Sequence, residues 1–289
     1  MNYRHAFHAG NFADVVKHVV LARILAYLGQ KDAAYRVLDT HAGAGLYDLQ
    51  GDEAQRTGEW ETGIGAVLRA NFTPAVEALL APWLKVVADV NPGAGPDLAG
   101  NLRHYPGSPL IAQALTRAQD RLLFCETEPG VRASLEQATG RDNRVKVLSV
   151  DGWQGMHAYL PPKERRGVVL VDPPFEQPGE FHRLSEGLSD AYQRWATGIY
   201  ALWYPIKDVR AVDAFKRDLA RAHIPKTLSI QVDIRNVRQM DTLSGCGMII
   251  VNPPFTLADE LRSVLSALAP VLSTDGTGRV RVSWLIPER

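Results

Sequence analysis

Residues 168–177 read VVLVDPPFEQ: an apolar run that ends in an aspartate, two prolines and a phenylalanine. These types suit a flat ring that carries an amino group. The lone pair of such an amine is delocalised into the ring, so the nitrogen must pyramidalise before it attacks an electrophile. Acceptors aimed at its two hydrogens favour that change. Asp172 supplies one. The carbonyl of Pro173 supplies the other, because consecutive prolines fix φ, lack N–H donors and stay out of helix. Phe175 offers a face for stacking, worth roughly 1–3 kcal/mol per base. A base inside a duplex would first have to be flipped out. The bland alternative is a strand running into a proline-rich turn. Residues 248–256, MIIVNPPFT, repeat the shape. Asn252 cannot hold the charge of an aspartate, and it follows the last of the apolar runs. Residues 252–255 therefore read as a structural turn.

Other candidate groups sit where earlier apolar runs end. DTHAGAG (39–45) places Gly43 and Gly45 in a turn that can approach a ligand closely. The third glycine of a dinucleotide fingerprint is missing. An acid before such a turn suits a cationic ligand with an amino group, such as S-adenosylmethionine; a plain strand–helix turn is the alternative. Glu126 ends the second run and can accept both hydroxyls of a ribose, or it is an acid stabilised by a helix N-terminus. Asp151 and Gly152 end the third. A carboxylate there can accept from an adenine amine, or it caps a helix. Three such tips in consecutive order are harder to dismiss than one.

The elements that must carry these groups are legible. Runs at 35–45, 121–129, 144–152, 167–175, 198–205, 227–234 and 247–255 are nearly continuous in Val, Ile and Leu, as in strands covered by helices on both faces. Helical patterns lie at 13–29, 109–119, 130–139, 179–195, 207–223 and 257–271. The alternation predicts an α/β, doubly wound, mostly parallel seven-stranded sheet. About 75 residues between the first two strands exceed one crossover. Residues 50–104 read as a helical insertion, with seven acidic and four basic residues. The expected organisation is 1–49 as the N-terminal segment and start of the main domain, 50–104 as an insertion subdomain, and 105–289 as the rest of the main domain.

Composition sets bounds. Lys plus Arg and Asp plus Glu are both 32 in 289 residues, which argues against coating nucleic acid by bulk charge. Local basic segments remain, near the N-terminus and at 207–240. Cys125 and Cys246 offer no disulfide framework or metal spacing, so no metal is expected. There is no apolar leader and no run near the ~20 residues of a membrane span. A cytoplasmic monomer without membrane contact or an obligate protein partner is the expectation.

With these residues in view the chain resembles the RlmJ family, bacterial 23S ribosomal RNA adenine-N6 methyltransferases that use S-adenosylmethionine. YRHAFHAGNFADVVKH, LDTHAGAG, YPGSP, DPPF, GIYALWYP and GTGRVRVSWLIPE carry the likeness over nearly the whole length. The resemblance implies a class I, Rossmann-like methyltransferase fold with a helical insertion after the first strand. It implies cofactor contacts at His18, His41, Ser108, Glu126, Asp151 and Gly152, with Asp172 at the reacting amine. It implies that Tyr3, Arg4, His5 and Lys17 lie over the site and touch the RNA. The family commonly ends the motif in Tyr; Phe175 keeps the stacking face and loses the hydroxyl. Two alternatives remain at this point: the same chemistry on DNA adenine or protein glutamine, and an RNA-binding protein without activity.

Overall fold

Each of the seven apolar runs contains a strand. The computed structural model describes residues 4–235 and 243–288. Its strands are β1 (Arg36–Asp39), β2 (Leu46–Asp48), β3 (His104–Pro106), β4 (Arg121–Cys125), β5 (Val145–Leu148), β6 (Gly167–Val171), β7 (Ile199–Ile206), β8 (Thr227–Asp233), β9 (Gly245–Val251) and β10 (Arg279–Ile286). The main sheet has the order β10-β8-β9-β7-β6-β1-β4-β5. It has eight strands rather than seven. The additional strand, β10, reads RVRVSWLI; it alternates Arg with Val and is largely exposed. It is an edge strand, antiparallel to β8, and so lacks the continuous apolar signature of a covered strand.

Strands β7, β6, β1, β4 and β5 are mutually parallel, and β1 lies between β6 and β4. This is where the strand order reverses, the place an open α/β sheet leaves a crevice beyond its carboxyl ends. Strand β9 runs the other way, so that Val251 pairs with Tyr200 near the start of β7. Asn252 and its prolines therefore lie at the opposite end of the sheet from Asp172. The Asn252 side-chain amide donates to the carbonyls of Ala196 and Gly198, both at 2.8 Å. Its φ of 50° is one that asparagine tolerates. This copy is a structural turn.

Helices cover both faces. On one lie α1 (Phe12–Leu28), α6 (Ser108–Leu115), α7 (Pro129–Thr139) and α11 (Leu257–Leu272). On the other lie α8 (Gly152–Tyr159), α9 (Glu180–Arg194) and α10 (Val209–Arg221). Neighbouring strand residues point to opposite faces: Val37 packs with the first group and Leu38 with the second. Helix α1 is apolar nearly all round and correspondingly buried. Its start is fixed by Asn11, whose side chain accepts from the backbone N–H groups of Ala13 and Asp14.

The segment between β1 and β4 opens and closes with the antiparallel pair β2–β3, where Tyr47 faces Tyr105. Between them lie α2 (Asp52–Thr57), α3 (Glu59–Thr62), α4 (Ile64–Arg69) and α5 (Pro74–Asp89). Helix α5 does not project. Its Leu80, Trp83, Val86 and Val87 are buried in the same core as α1 and α11. Cys125 and Cys246 are buried thiols, and burial pushes both up to about 12. Among the described residues, no helix is long and apolar enough to cross a membrane, and no cluster of side chains is arranged to hold a metal ion.

Candidate active site

The carboxyl ends of β6, β1, β4 and the start of α8 open into one cavity of about 1180 Å³. That exceeds the range of roughly 300–1,000 Å³ usual for one small ligand, so it has room for a cofactor and a base together. Asp172, Pro173, Phe175, His18, His41, Gly43, Ser108, Glu126, Asp151 and Gly152 all line it, with Arg4, His5 and Lys17. The parallel register explains the meeting. Asp39 pairs with Leu170, and Thr40 N–H donates to the Leu170 carbonyl. Asp172, two residues on, comes level with the turn that follows β1.

That turn is built around glycine. Gly43 has φ of 68°, and a Cβ there would lie 2.4 Å from Tyr47 Oη. Glu126 Oε2 accepts from Gly43 N–H at 3.1 Å, which ties the second strand tip to the first. Gly45, expected to touch the cofactor, does not line the cavity; its carbonyl accepts from Gly107 N–H at 2.8 Å and braces the turn against α6. Gly152 is needed because a Cβ would stand 2.3 Å from the Thr40 carbonyl. Asp151 serves partly as the helix cap: Oδ1 accepts from Trp153 and Gln154 N–H at 3.0 and 3.3 Å. His41 turns its edge to Trp153, and its Nδ1 meets Thr40 Oγ1 at 2.8 Å. Burial lowers its pKa to about 4, so the ring is neutral.

Phe175 sits at φ of 52°, a conformation uncommon for a bulky residue and characteristic of functional turns. It packs edge-on against Phe181 and Trp203. The last of these, at the level of Asp172 on β7, also lines the cavity.

Lys17, expected to lie over the site and touch the RNA, lines the cavity from a buried position. It is 5% exposed. Its Nζ lies 2.8 Å from Asp14 Oδ1 and 2.5 Å from Asp172 Oδ2. Burial alone would lower its pKa, but Asp14 and Asp172 hold it well above the usual lysine value. Asp14 also meets His5 Nε2 at 2.9 Å and accepts from Gly10 N–H. Burial acts to raise the Asp14 carboxyl, and the opposing charges of His5 and Lys17 keep it well below the usual range. His5, Asp14, Lys17 and Asp172 thus form one connected chain of polar side chains into the cavity. Asp14 was missed in the sequence. Its signal is there: an acid and a lysine three apart inside a helix that is mostly apolar on every side must be buried and paired.

Arg4 is exposed at the cavity rim and pairs with Glu53 of α2 at 3.0 Å. His8 Nδ1 and Asn11 Nδ2 both meet Glu59 of α3, Thr57 donates to the Phe7 carbonyl, and Ile64 N–H to the Gly10 carbonyl. The acidic residues of the insertion thereby hold the basic N-terminal segment over the cavity. Tyr3, also expected to touch RNA, lies outside the described residues.

A family model described as Ribosomal RNA large subunit methyltransferase D, RlmJ, matches residues 32–286. The chain is 40% identical over 288 residues to Ribosomal RNA large subunit methyltransferase J of Escherichia coli (strain K12), with 100% of each chain covered. Its identity to the protein of the same name from Haemophilus influenzae is 38% over 288 residues, again with 100% of each covered. Among solved structures, a protein from Legionella pneumophila str. Philadelphia 1 is 33% identical and superposes with a TM-score of 0.86, over 96% of this chain and 98% of that one.

Proposed function

The chain belongs to the RlmJ family of large-subunit ribosomal RNA methyltransferases, and from that premise we propose that it methylates the N6 amine of one adenosine of 23S ribosomal RNA with S-adenosylmethionine as donor. One observation carries the reading: the Asp172 carboxylate stands in the same cavity as the glycine turn at Gly43, with a strained aromatic residue beside it. Bound S-adenosylmethionine supplies an electrophilic methyl group on a sulfonium.

The residues fit that group. Glu126 and Asp151 would offer carboxylate oxygens to a ribose and an adenine amine, and at Gly43 and Gly152 a side chain would collide with Tyr47 and with the Thr40 carbonyl. His18 Nε2 is a buried polar atom without a partner. His41 and Ser108 complete the wall.

The chain's own part in the reaction is positional and electrostatic. Lys17 occupies Oδ2 of Asp172 and leaves Oδ1 for one hydrogen of the target amine; the Pro173 carbonyl takes the other. Withdrawn from ring conjugation, the lone pair turns toward the methyl group. Phe175, braced edge-on by Trp203, offers its ring to the base. After transfer the surplus proton leaves by way of Asp172 to water at the cavity mouth. Arg4 and His5, held by the insertion, extend the site toward the RNA backbone. The protein acts in the cytoplasm as a monomer.

Incubation with tritiated S-adenosylmethionine and, separately, ribosomal RNA, duplex DNA and protein extract tests the proposal. Label in 23S RNA that digests to N6-methyladenosine is expected. Label confined to DNA or protein overturns it.

A further inference from the structure

The cavity has two unlike lips. On the insertion side, β2, α2 and α3 present Asp48, Asp52, Glu53, Glu59 and Glu61 against Arg56. Arg4 and His8 are already committed to two of these acids. A polyanion is not drawn to that side. The other lip begins at Lys207, which lines the cavity and directly follows β7. From there the sheet register carries a row of cations outward. Ile206 at the end of β7 and Asp233 at the end of β8 both pair with Gly245, the first residue of β9. Strands β7 and β8 therefore end at one level, on the side where the parallel β6 delivers Asp172. Arg279, the first residue of β10, pairs with Asp233. Lys207, Arg235 and Arg279 thus stand along one rim, across β7, β9, β8 and β10. At about 4.8 Å per strand, the rim runs roughly 14 Å from the cavity to the sheet edge.

Lys207, Arg235, Arg279 and Arg281 are exposed, and their charged groups make no ion pair or hydrogen bond among the described residues. The acids beside them are Asp208, Asp213 and Asp233. Asp208 is occupied as the cap of α10, accepting from Arg210 N–H at 2.8 Å, and Asp233 accepts from the Gln231 amide at 3.0 Å. Arg281 pairs with Gln231 and shares its face of the sheet; Gln231 Oε1 accepts from Lys216 Nζ of α10 at 3.0 Å. Burial lowers the Lys216 pKa, and Arg281 lowers it further against Asp213 and Asp233. Two cations are crowded here, a strain that a bound anion relieves. Charge on an edge strand also deters pairing with other chains. That need would be met anywhere along β10, yet both arginines stand at its cavity end, while Ser283 and Trp284 occupy the remoter part. At the opposite end of the sheet Arg36, Arg117 and Arg144 each meet a carboxylate.

We propose that this rim is the track of the RNA flanking the target adenosine: the base enters the cavity over Phe175, and the neighbouring phosphates cross from Lys207 past Arg235 to Arg279 and Arg281 at the sheet edge. The inference rests on the proposed function and deepens it, because it names the surface that holds the substrate outside the cavity. It also gives a task to the basic segment that begins at Lys207, in a chain whose net charge is zero.

Arg279→Gln with Arg281→Gln removes two exposed charges remote from Asp172. Affinity for 23S RNA, measured by filter binding across a salt series, should lose about 1.4–1.8 from its log–log slope, at about 0.7–0.9 per phosphate contact. At about 0.15 M salt this is a loss of about 10- to 30-fold in affinity. The loss should fall on KM for RNA rather than on kcat, and calorimetric affinity for S-adenosylhomocysteine should stay within about two-fold of wild type. Arg141→Gln with Lys163→Gln removes the same charge from exposed positions at the opposite end of the sheet and should leave the slope as it is. A wild-type slope in the first variant, or equal effects in both, overturns the inference. Photo-crosslinking of thiouridine-substituted 23S RNA to the wild-type chain needs no variant to fold. It should mark peptides within 205–217 and 279–284; crosslinks confined to the N-terminal segment and the insertion overturn the inference as well. A wild-type chain that methylates DNA or protein and not RNA would instead remove the proposed function, and this inference with it.

Discussion

Lys17→Met removes the cation that joins Asp14 to Asp172 at 2.8 and 2.5 Å. Removing one partner of a buried pair costs about 3–5 kcal/mol, because the other charge stays behind. Two features place this case at the low end. The Asp172 side chain is 17% exposed, and Asp14 keeps His5 and the Gly10 N–H. About 3 kcal/mol corresponds to a fall in Tm of roughly 6–10 °C for a chain of this size. The sign with pH follows from linkage. The Asp14 carboxyl is held well below the usual aspartate range and the Lys17 ammonium well above the usual lysine value. Their contribution is thus present from about pH 4 to about pH 10; it is lost as pH falls through the folded value of Asp14 or rises through that of Lys17. Without Lys17, burial of Asp14 is opposed mainly by His5 and its carboxyl moves up. The variant should then regain stability relative to wild type when acidified from pH 7 to pH 5, as protonation removes the stranded charge. Thermal unfolding followed by circular dichroism at pH 5, 7 and 9 measures both effects. Adding Asp172→Asn to Lys17→Met should recover part of the loss, as coupling between neighbours requires. A Tm within about 2 °C of wild type at pH 7, or one that falls further on acidification, would show that Lys17 does not neutralise these carboxylates.

Further expectations concern the two proline motifs and a buried acid. Asp172→Asn should reduce methyl transfer to background while calorimetric affinity for S-adenosylhomocysteine stays within about three-fold of wild type; Asn252→Ala should leave turnover intact and lower Tm slightly, since it removes the side-chain bonds to the carbonyls of Ala196 and Gly198, worth about 1 kcal/mol each at most. Phe175→Ala should cut kcat/KM on RNA by about 5- to 100-fold, the equivalent of one lost stacking face, and Phe175→Tyr should restore it in the same assay. Burial pushes the Asp39 carboxyl up to about 6, while the Ser108 hydroxyl and His41 N–H oppose it. Asp39 therefore takes up a proton on folding, and its contribution to stability declines as pH rises from about 4 to about 6. Asp39→Asn should flatten that slope in chemical denaturation series across the same window.

The strands were legible wherever both faces are covered, because coverage forces a run such as VVLV. β10 was not: an edge strand with Arg279 and Arg281 exposed writes a different pattern. The position of Asp172 beside the glycine turn was readable from strand order alone. Its partner was not. Asp172 and Lys17 are 155 positions apart, and a lysine near the start of a helix reads as solvated until the helix is seen to be buried on all sides. The weakness of the NPPF copy was inferred from charge and order. The decisive physical reason is the reversed direction of β9, which nothing in residues 245–255 announces. The acidic balance of the insertion likewise gave no hint that Glu53 and Glu59 face the chain's own basic start.

Helix α5 shares its apolar interior with α1 and α11, and this governs how the molecule can come apart. Excising residues 50–104 would strip Leu80, Trp83 and Val87 from the packing of the helix that carries Asp14 and Lys17. The segment cannot behave as a swinging arm hinged on β2 and β3, nor be transplanted as a cassette. Heat should melt it together with the sheet in a single calorimetric peak, and any lesion in α5 should be felt at Asp14 and Lys17.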